Sequence, residues 1–322
     1  MHLLCTQVRK EIAYGPINPQ EHVNGMLAGK NLSRTNHTNT KERQIVTKKT
    51  LIAALAIMAI LVIAISPVSA ITDGELDGDG HPYVVLLLME VNGAPKYRCS
   101  ATLISPTYVL TAGHCTSNYP EDDPYTGMRV FTESDVESGI GLTNNYPFAG
   151  PNSVEAVRWA AHPLFETAPF FYHDVGMVEL AEPVYLDEYG ALPAADKLDA
   201  LKKRRGLQDT TFTAVGYGLQ ESFPEPAQWK ESNERVRYVA YPKLLQINVP
   251  GFTGDFSLLL SNNHATGGTC FGDSGGPNFL GDSNIVAGVT SFGINGNCAG
   301  TGGVFRMDRQ DVQDFVYDFM NP

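Results

Sequence analysis

The chain has 322 residues, 43% hydrophobic and 18% charged, with a formal net charge of −12. Residues 71–322 keep 15 of the 23 basic residues and 32 of the 35 acidic ones, a net charge of −17. So acidic a surface excludes the clustered Lys/Arg footprint of a nucleic-acid binder, and 252 residues suffice for one globular unit with two cores.

Residues 1–47 are polar and rich in Asn and Thr, and Lys48-Lys49 leads into fifteen unbroken apolar residues, 51–65. A membrane-spanning helix needs ~20 such residues, whereas a secretory core needs ~7–15. Ser66-Pro67 breaks the run, and Val68-Ser69-Ala70 supplies small residues for cleavage after Ala70. The expectation is a leader over 1–70 and a secreted protein, extracellular or periplasmic. The alternative is a membrane anchor retained through 51–65. Cys5 stands apart from the other cysteines. Asn31 and Asn36 head glycosylation sequons but precede the apolar run, which keeps them on the cytoplasmic side.

Cleavage after Ala70 would begin the mature chain at Ile71-Thr72-Asp73-Gly74-Glu75. Asp77-Gly78-Asp79-Gly80 and Glu121-Asp122-Asp123 are acidic, but neither completes a calcium loop, so both read as solvated turns. Cys99-Ser100-Ala101-Thr102-Leu103-Ile104 precedes an apolar run, Tyr108-Val109-Leu110, which ends in Thr111-Ala112-Gly113-His114-Cys115. His173-Asp174 enters a strand-like stretch to Leu180, with Val175, Met177 and Leu180 inward.

Strand patterning lapses over Asp187–Arg205, where Lys202-Lys203-Arg204-Arg205 reads as a solvated connector. Ala214-Val215-Gly216-Tyr217-Gly218 and Val289-Thr290-Ser291-Phe292-Gly293 flank the hexapeptide Gly272-Asp273-Ser274-Gly275-Gly276-Pro277. A serine hydroxyl is a weak nucleophile that needs a base and oxyanion donors, and flanking glycines leave room for a substrate carbonyl. Gly302-Gly303-Val304-Phe305 follows, and Val312, Phe315, Val316 and Phe319 share one face of a helix over 311–319. Short β-branched segments between Gly, Pro, Asn and Asp turns indicate an all-β chain.

From Ile71 to the C-terminus these blocks, with His, Asp and Ser in that chain order, resemble the trypsin/chymotrypsin-like serine peptidases. The resemblance implies two six-stranded antiparallel Greek-key barrels, the first over about 71–190 and the second over about 191–310, then the helix. It implies that Ser274 attacks the scissile carbonyl, His114 carries the proton and Asp174 orients the imidazole. Gly272 and Ser274 would supply the oxyanion-hole N–H groups. It selects the disulfides Cys99–Cys115 and Cys270–Cys298 among three connectivities.

It also implies that the freed Ile71 ammonium pairs with Asp273, which would make activity fall in alkaline buffer as that amine loses its proton. The specificity pocket would be formed by Gly268, Thr269, Ser291, Gly293 and Gly303. With no carboxylate at Gly268 or Thr269, it would favour large apolar or aromatic side chains over Arg or Lys. The expected enzyme is a monomer that acts on proteins or peptides, without cofactor or metal. Rival readings are a catalytically silent homologue that only binds, a membrane-tethered protease, and a narrow esterase.

Overall fold

The computed structural model describes residues 71–117, 124–165, 172–203, 209–220, 233–250 and 253–322. All of them belong to one compact unit; a second, Ile12–Pro67, lies wholly outside the described residues. The leader, the apolar run 51–65, the cleavage point at Ala70 and Glu121–Asp123 therefore also lie outside them. No described helix is long and apolar enough to cross a membrane.

Six antiparallel strands close a barrel in the order β2-β3-β4-β7-β6-β5: β2 Val84–Val91, β3 Ala94–Leu103, β4 Tyr108–Thr111, β5 Tyr125–Phe131, β6 Ser153–Ala161 and β7 Gly176–Leu180. The β2–β3 hairpin turns on Asn92-Gly93, both at positive φ, the pair that a tight two-residue hairpin favours. Residues of five of these strands, such as Val85, Leu87, Ala101, Val109, Val130 and Met177, are buried in one core, and β6 packs its partly buried Val154, Ala156 and Trp159 against it. On β7 Val178 is buried as well as Met177 and Leu180, so this strand is covered on both faces.

The second half is a curled eight-stranded sheet in the order β1-β9-β8-β12-β13-β14-β11-β10, where the expectation was a six-stranded barrel; only residues 241–243 separate β9 from β10, and a Thr211–Lys243 bridge with the bond from Phe212 N–H to the Pro242 carbonyl carries β8 toward β10. Its members are β1 Glu75–Leu76, β8 Phe212–Gly216, β9 Tyr238–Ala240, β10 Leu244–Val249, β11 Gly254–Asn262, β12 Pro277–Leu280, β13 Val286–Gly293 and β14 Gly300–Arg306. Residues 75–76, expected within the first barrel, instead pair Glu75 with Val239 and Leu76 with Tyr238.

The cause lies in what flanks them. Ile71 is buried among Ala214, Val236, Tyr238 and Ala240. On the other side Asp77 Oδ2 accepts from Arg237 Nε at 2.7 Å. Arg237 also donates to the carbonyls of Val84 and Gly78 and to the Tyr217 hydroxyl. Burial opposes ionisation of Asp77, but His81 and the Arg237 charge together hold its carboxyl below the usual range. Asp77 is thus the anchor of a buried ion pair, not a solvated turn residue.

Among the described residues the helices are few: α1 Gly113–Thr116, α2 Val136–Gly139, a 3-10 turn at Lys197–Lys203, and α3 Gln310–Met320. The last runs one residue beyond the expected helix at each end. It buries Val312, Val316 and Phe319 against the main core.

Candidate active site

His114 lies in α1, straight after β4, and Asp174 lies two residues before β7. Since β4 and β7 are hydrogen-bonded neighbours, the register that pairs Thr111 with Gly176 brings these two residues together. His114 Nδ1 sits 3.1 Å from Asp174 Oδ1 and 3.0 Å from Oδ2. The His114 backbone N–H donates to Oδ1 at 2.9 Å, and the Ser291 hydroxyl to Oδ2 at 2.5 Å. Asp174 is fully buried, so these donors replace the water it has lost. Ser291, which the sequence assigned to the pocket, is thus a direct partner of Asp174.

Ser274 comes from the second sheet, in the loop between β11 and β12. Its carbonyl accepts from the Ser100 N–H of β3 at 2.8 Å. Cys99, next to Ser100, is disulfide-bonded to Cys115, next to His114. Thr111 Oγ1 in turn donates to the Ser100 carbonyl at 3.0 Å. Gly275, at φ +76°, lies so close to Thr111 and Ala112 that a Cβ would overlap both. The turn that carries Ser274 and the turn that carries His114 therefore meet backbone to backbone, and only glycine fits at 275.

Gly272 has φ +95°, and neither its N–H nor that of Ser274 makes an internal hydrogen bond among the described residues. The Ser100 hydroxyl accepts from Tyr217 N–H and donates to the Gly272 carbonyl, both at 2.9 Å. Sequence reading missed this role of Ser100; nothing in a Cys-Ser-Ala strand start marks it.

Asp273 is fully buried, and its carboxylate accepts from Gly218 N–H at 2.8 Å and Cys270 N–H at 2.9 Å. Gly216 and Gly218 are required here, since a Cβ at either would overlap the carboxyl group. Burial pushes the Asp273 carboxyl up to about 7, against these two N–H groups and the Arg98 charge. Ile71, the expected partner, is also fully buried, but in the intact chain its nitrogen belongs to a peptide bond.

The expected pocket residues gather along β13, β14 and the segment before Ser274. Gly293 pairs with Gly302 and Phe292 with Gly303, and the Phe292 ring fills the space a Cβ on Gly303 would need. Gly268 N–H donates to the Thr72 carbonyl at 3.1 Å. Asn262, unnoticed in the sequence, occupies the place of a Gly268 side chain. Its Nδ2 donates to the Thr269 carbonyl at 2.7 Å, and its Oδ1 accepts from the Thr72 hydroxyl at 2.8 Å. Cys270 and Cys298 form the second disulfide, which packs with Leu219 and Phe271.

In a comparison with known families, the family model Trypsin matches residues 75–315. The chain belongs to the trypsin family. Among relatives of this trypsin-family chain, mannan-binding lectin serine protease 1 of Mus musculus is 25% identical over 97% of this chain and 42% of its own length. Scolexin B of Heliothis virescens is 36% identical over 31% of the chain and 34% of its own length. The chain thus spans less than half of these two relatives. A solved structure of HL collagenase matches with a TM-score of 0.58 and 21% identity, covering 78% of this chain and 99% of the collagenase, a likeness of fold.

Proposed function

We propose that this trypsin-family chain is a secreted serine endopeptidase that cleaves through an acyl-enzyme after large apolar or aromatic side chains. The observation that carries the reading is the bond from His114 Nδ1 to a buried Asp174. With the Nδ1 proton committed to the carboxylate, Nε2 is left as the basic nitrogen of the neutral ring. The Ser274 hydroxyl gives its proton to Nε2 as its oxygen bonds to the scissile carbonyl carbon. The carbonyl oxygen becomes an oxyanion that the free N–H groups of Gly272 and Ser274 can receive. Collapse expels the amine, which takes the proton from the imidazolium, and water repeats the sequence on the ester.

The side-chain preference rests on the residues gathered at the expected pocket. Gly268, Thr269, Ser291, Gly293, Gly303 and Asn262 carry no carboxylate, and a desolvated Arg or Lys would need one. Burial of a large apolar side chain contributes ~1.5–3 kcal/mol. Secretion is supported by the two disulfides, which persist in oxidising compartments. Activation by the Ile71 terminus remains part of the reading: both Ile71 and Asp273 are buried, and Thr72 bridges Gly268 in the segment that leads to Ser274.

The test is digestion of an unstructured protein by the secreted chain, with cut-site mapping and Ser274→Ala as control. Cuts after Phe, Tyr, Leu or Met that vanish in the variant support the proposal. Cuts after Arg or Lys would overturn the preference. The absence of any cuts that depend on Ser274 would favour a silent homologue.

A further inference from the structure

Three residues unused by this chemistry meet where the barrel touches α3. His162 follows β6, His173 directly precedes Asp174, and Asp311 lies in the first turn of α3. The two imidazoles stack with centroids 4.6 Å apart and planes 13° from parallel. The Phe315 ring lies 5.2 Å from the His162 ring, and the Phe256 ring 5.1 Å from that of His173, so both imidazoles pack against aromatic rings. His173 Nδ1 is 3.0 Å from Asp311 Oδ2, yet this buried nitrogen makes no aligned hydrogen bond. One donor atom from each of the three side chains lies within 4.8 Å of the others.

We propose that His162, His173 and Asp311 form a binding site for a divalent transition metal of the zinc class. Two imidazole nitrogens and one carboxylate oxygen, with a fourth position open, suit zinc or cobalt, whereas calcium and magnesium prefer oxygen alone. Ligands held ~2.0–2.1 Å from a tetrahedral ion stand ~3.3 Å apart, so the donors need to close by ~1.5 Å at most. Asp311, its side chain 41% exposed against 12% for His173, can swing toward the histidines, and a shift of the stacked rings closes the distance between the two imidazole nitrogens. The carboxylate is also the side from which an ion can enter. Loading gives up the hydrogen bond from Leu164 N–H to His162 Nδ1 at 3.2 Å, because a metal on Nε2 fixes the ring proton at Nδ1, and it replaces the contacts that both imidazoles make with Asp311.

The site has a route to the reaction centre. His173 adopts a left-handed φ of +53°, and its carbonyl accepts from Val175 N–H at 2.8 Å, so the backbone that carries Asp174 turns at this residue. Drawing the His173 ring onto an ion strains that turn, and zinc should lower kcat more than it alters KM. This consequence rests on the peptidase reading; the metal site itself does not.

The binding test therefore uses the inert full-length Ser274→Ala chain, stripped with chelator and titrated with zinc by calorimetry and with cobalt by visible absorption. The parent should take up one equivalent with the absorption of tetrahedral cobalt. His162→Asn and Asp311→Asn, each on the same background, should weaken that uptake at least about tenfold and abolish the absorption. Asp311→Asn retains size and lies at an exposed helix start, so an unchanged metal-free melting temperature shows that it folds, and it decides the matter if His162→Asn does not. Uptake that is undiminished in Asp311→Asn, or no stoichiometric uptake by the parent, would overturn the proposal.

Discussion

The N–H of Ser100 donates to the carbonyl of Ser274 at 2.8 Å, so a barrel strand holds the loop of the second sheet in which the proposed nucleophile sits. The same residue's hydroxyl bridges Tyr217 N–H and the Gly272 carbonyl. Ser100→Ala keeps the first bond and removes the bridge, leaving the buried Tyr217 N–H without its acceptor. Urea unfolding should report a loss of about 1–3 kcal/mol. Peptide hydrolysis should show a lower kcat at unchanged KM, because the 272–273 peptide loses a tether.

Ser291→Ala removes one donor from the buried Asp174 carboxylate without touching His114. A hydrogen bond to a charged group contributes ~1.5–3 kcal/mol, so kcat should fall about 10- to 100-fold. Ser291→Thr, which keeps a hydroxyl, should restore most of it. Steady-state kinetics on one apolar peptide substrate would decide; equal rates for the alanine variant and the parent would contradict the assigned role.

The intact chain should show an unusual pH dependence of stability. Burial raises the Asp273 carboxyl from its ordinary 3.8 to about 7, so the folded state holds a proton that the unfolded state releases. The resulting stabilisation is complete below about pH 4 and is lost as pH climbs through about 7. Denaturant melts of uncleaved Ser274→Ala from pH 4 to 8 should trace this decline, and adding Asp273→Asn should flatten it. Once Ile71 is freed, its ammonium should pair with the carboxylate and hold its pKa down. The decline should then move to alkaline pH, where the amine loses its proton.

Gly303→Ala places a methyl where the Phe292 ring now lies. Overpacking of this kind costs typically about 1–3 kcal/mol, and the displaced ring should narrow the expected pocket. Turnover of Phe and Tyr substrates should fall more than that of Leu substrates. Trimming the ring with Phe292→Leu should recover stability in the double variant, and a purely additive loss would refute the contact.

Much of the fold was legible because strands and turns write themselves locally. Alternating apolar residues marked β7, and the shared face of Val312, Phe315, Val316 and Phe319 marked α3 to within one residue at each end. The edge strand of the second sheet was not legible because it is two residues long, too short to carry a periodicity. Its pairing is set by a buried arginine 160 positions away, Arg237, which meets Asp77. Asn262 was invisible for a related reason: it acts by filling the space beside a glycine, and no motif records a neighbour's missing side chain.

The sequence by itself determined the chemistry available: one serine framed by glycines, one histidine and one aspartate in a recognisable order, two cysteine pairs and an acidic surface, since residue types and local spacing are written along the chain. Only the tertiary structure decided which groups meet across it. Ser291 on Asp174, Ser100 under Gly272 and Ser274, and His162, His173 and Asp311 around a common point are contacts between distant positions. Strand register and the closure of the barrel fix such distances, and neither is a property of any single stretch of residues.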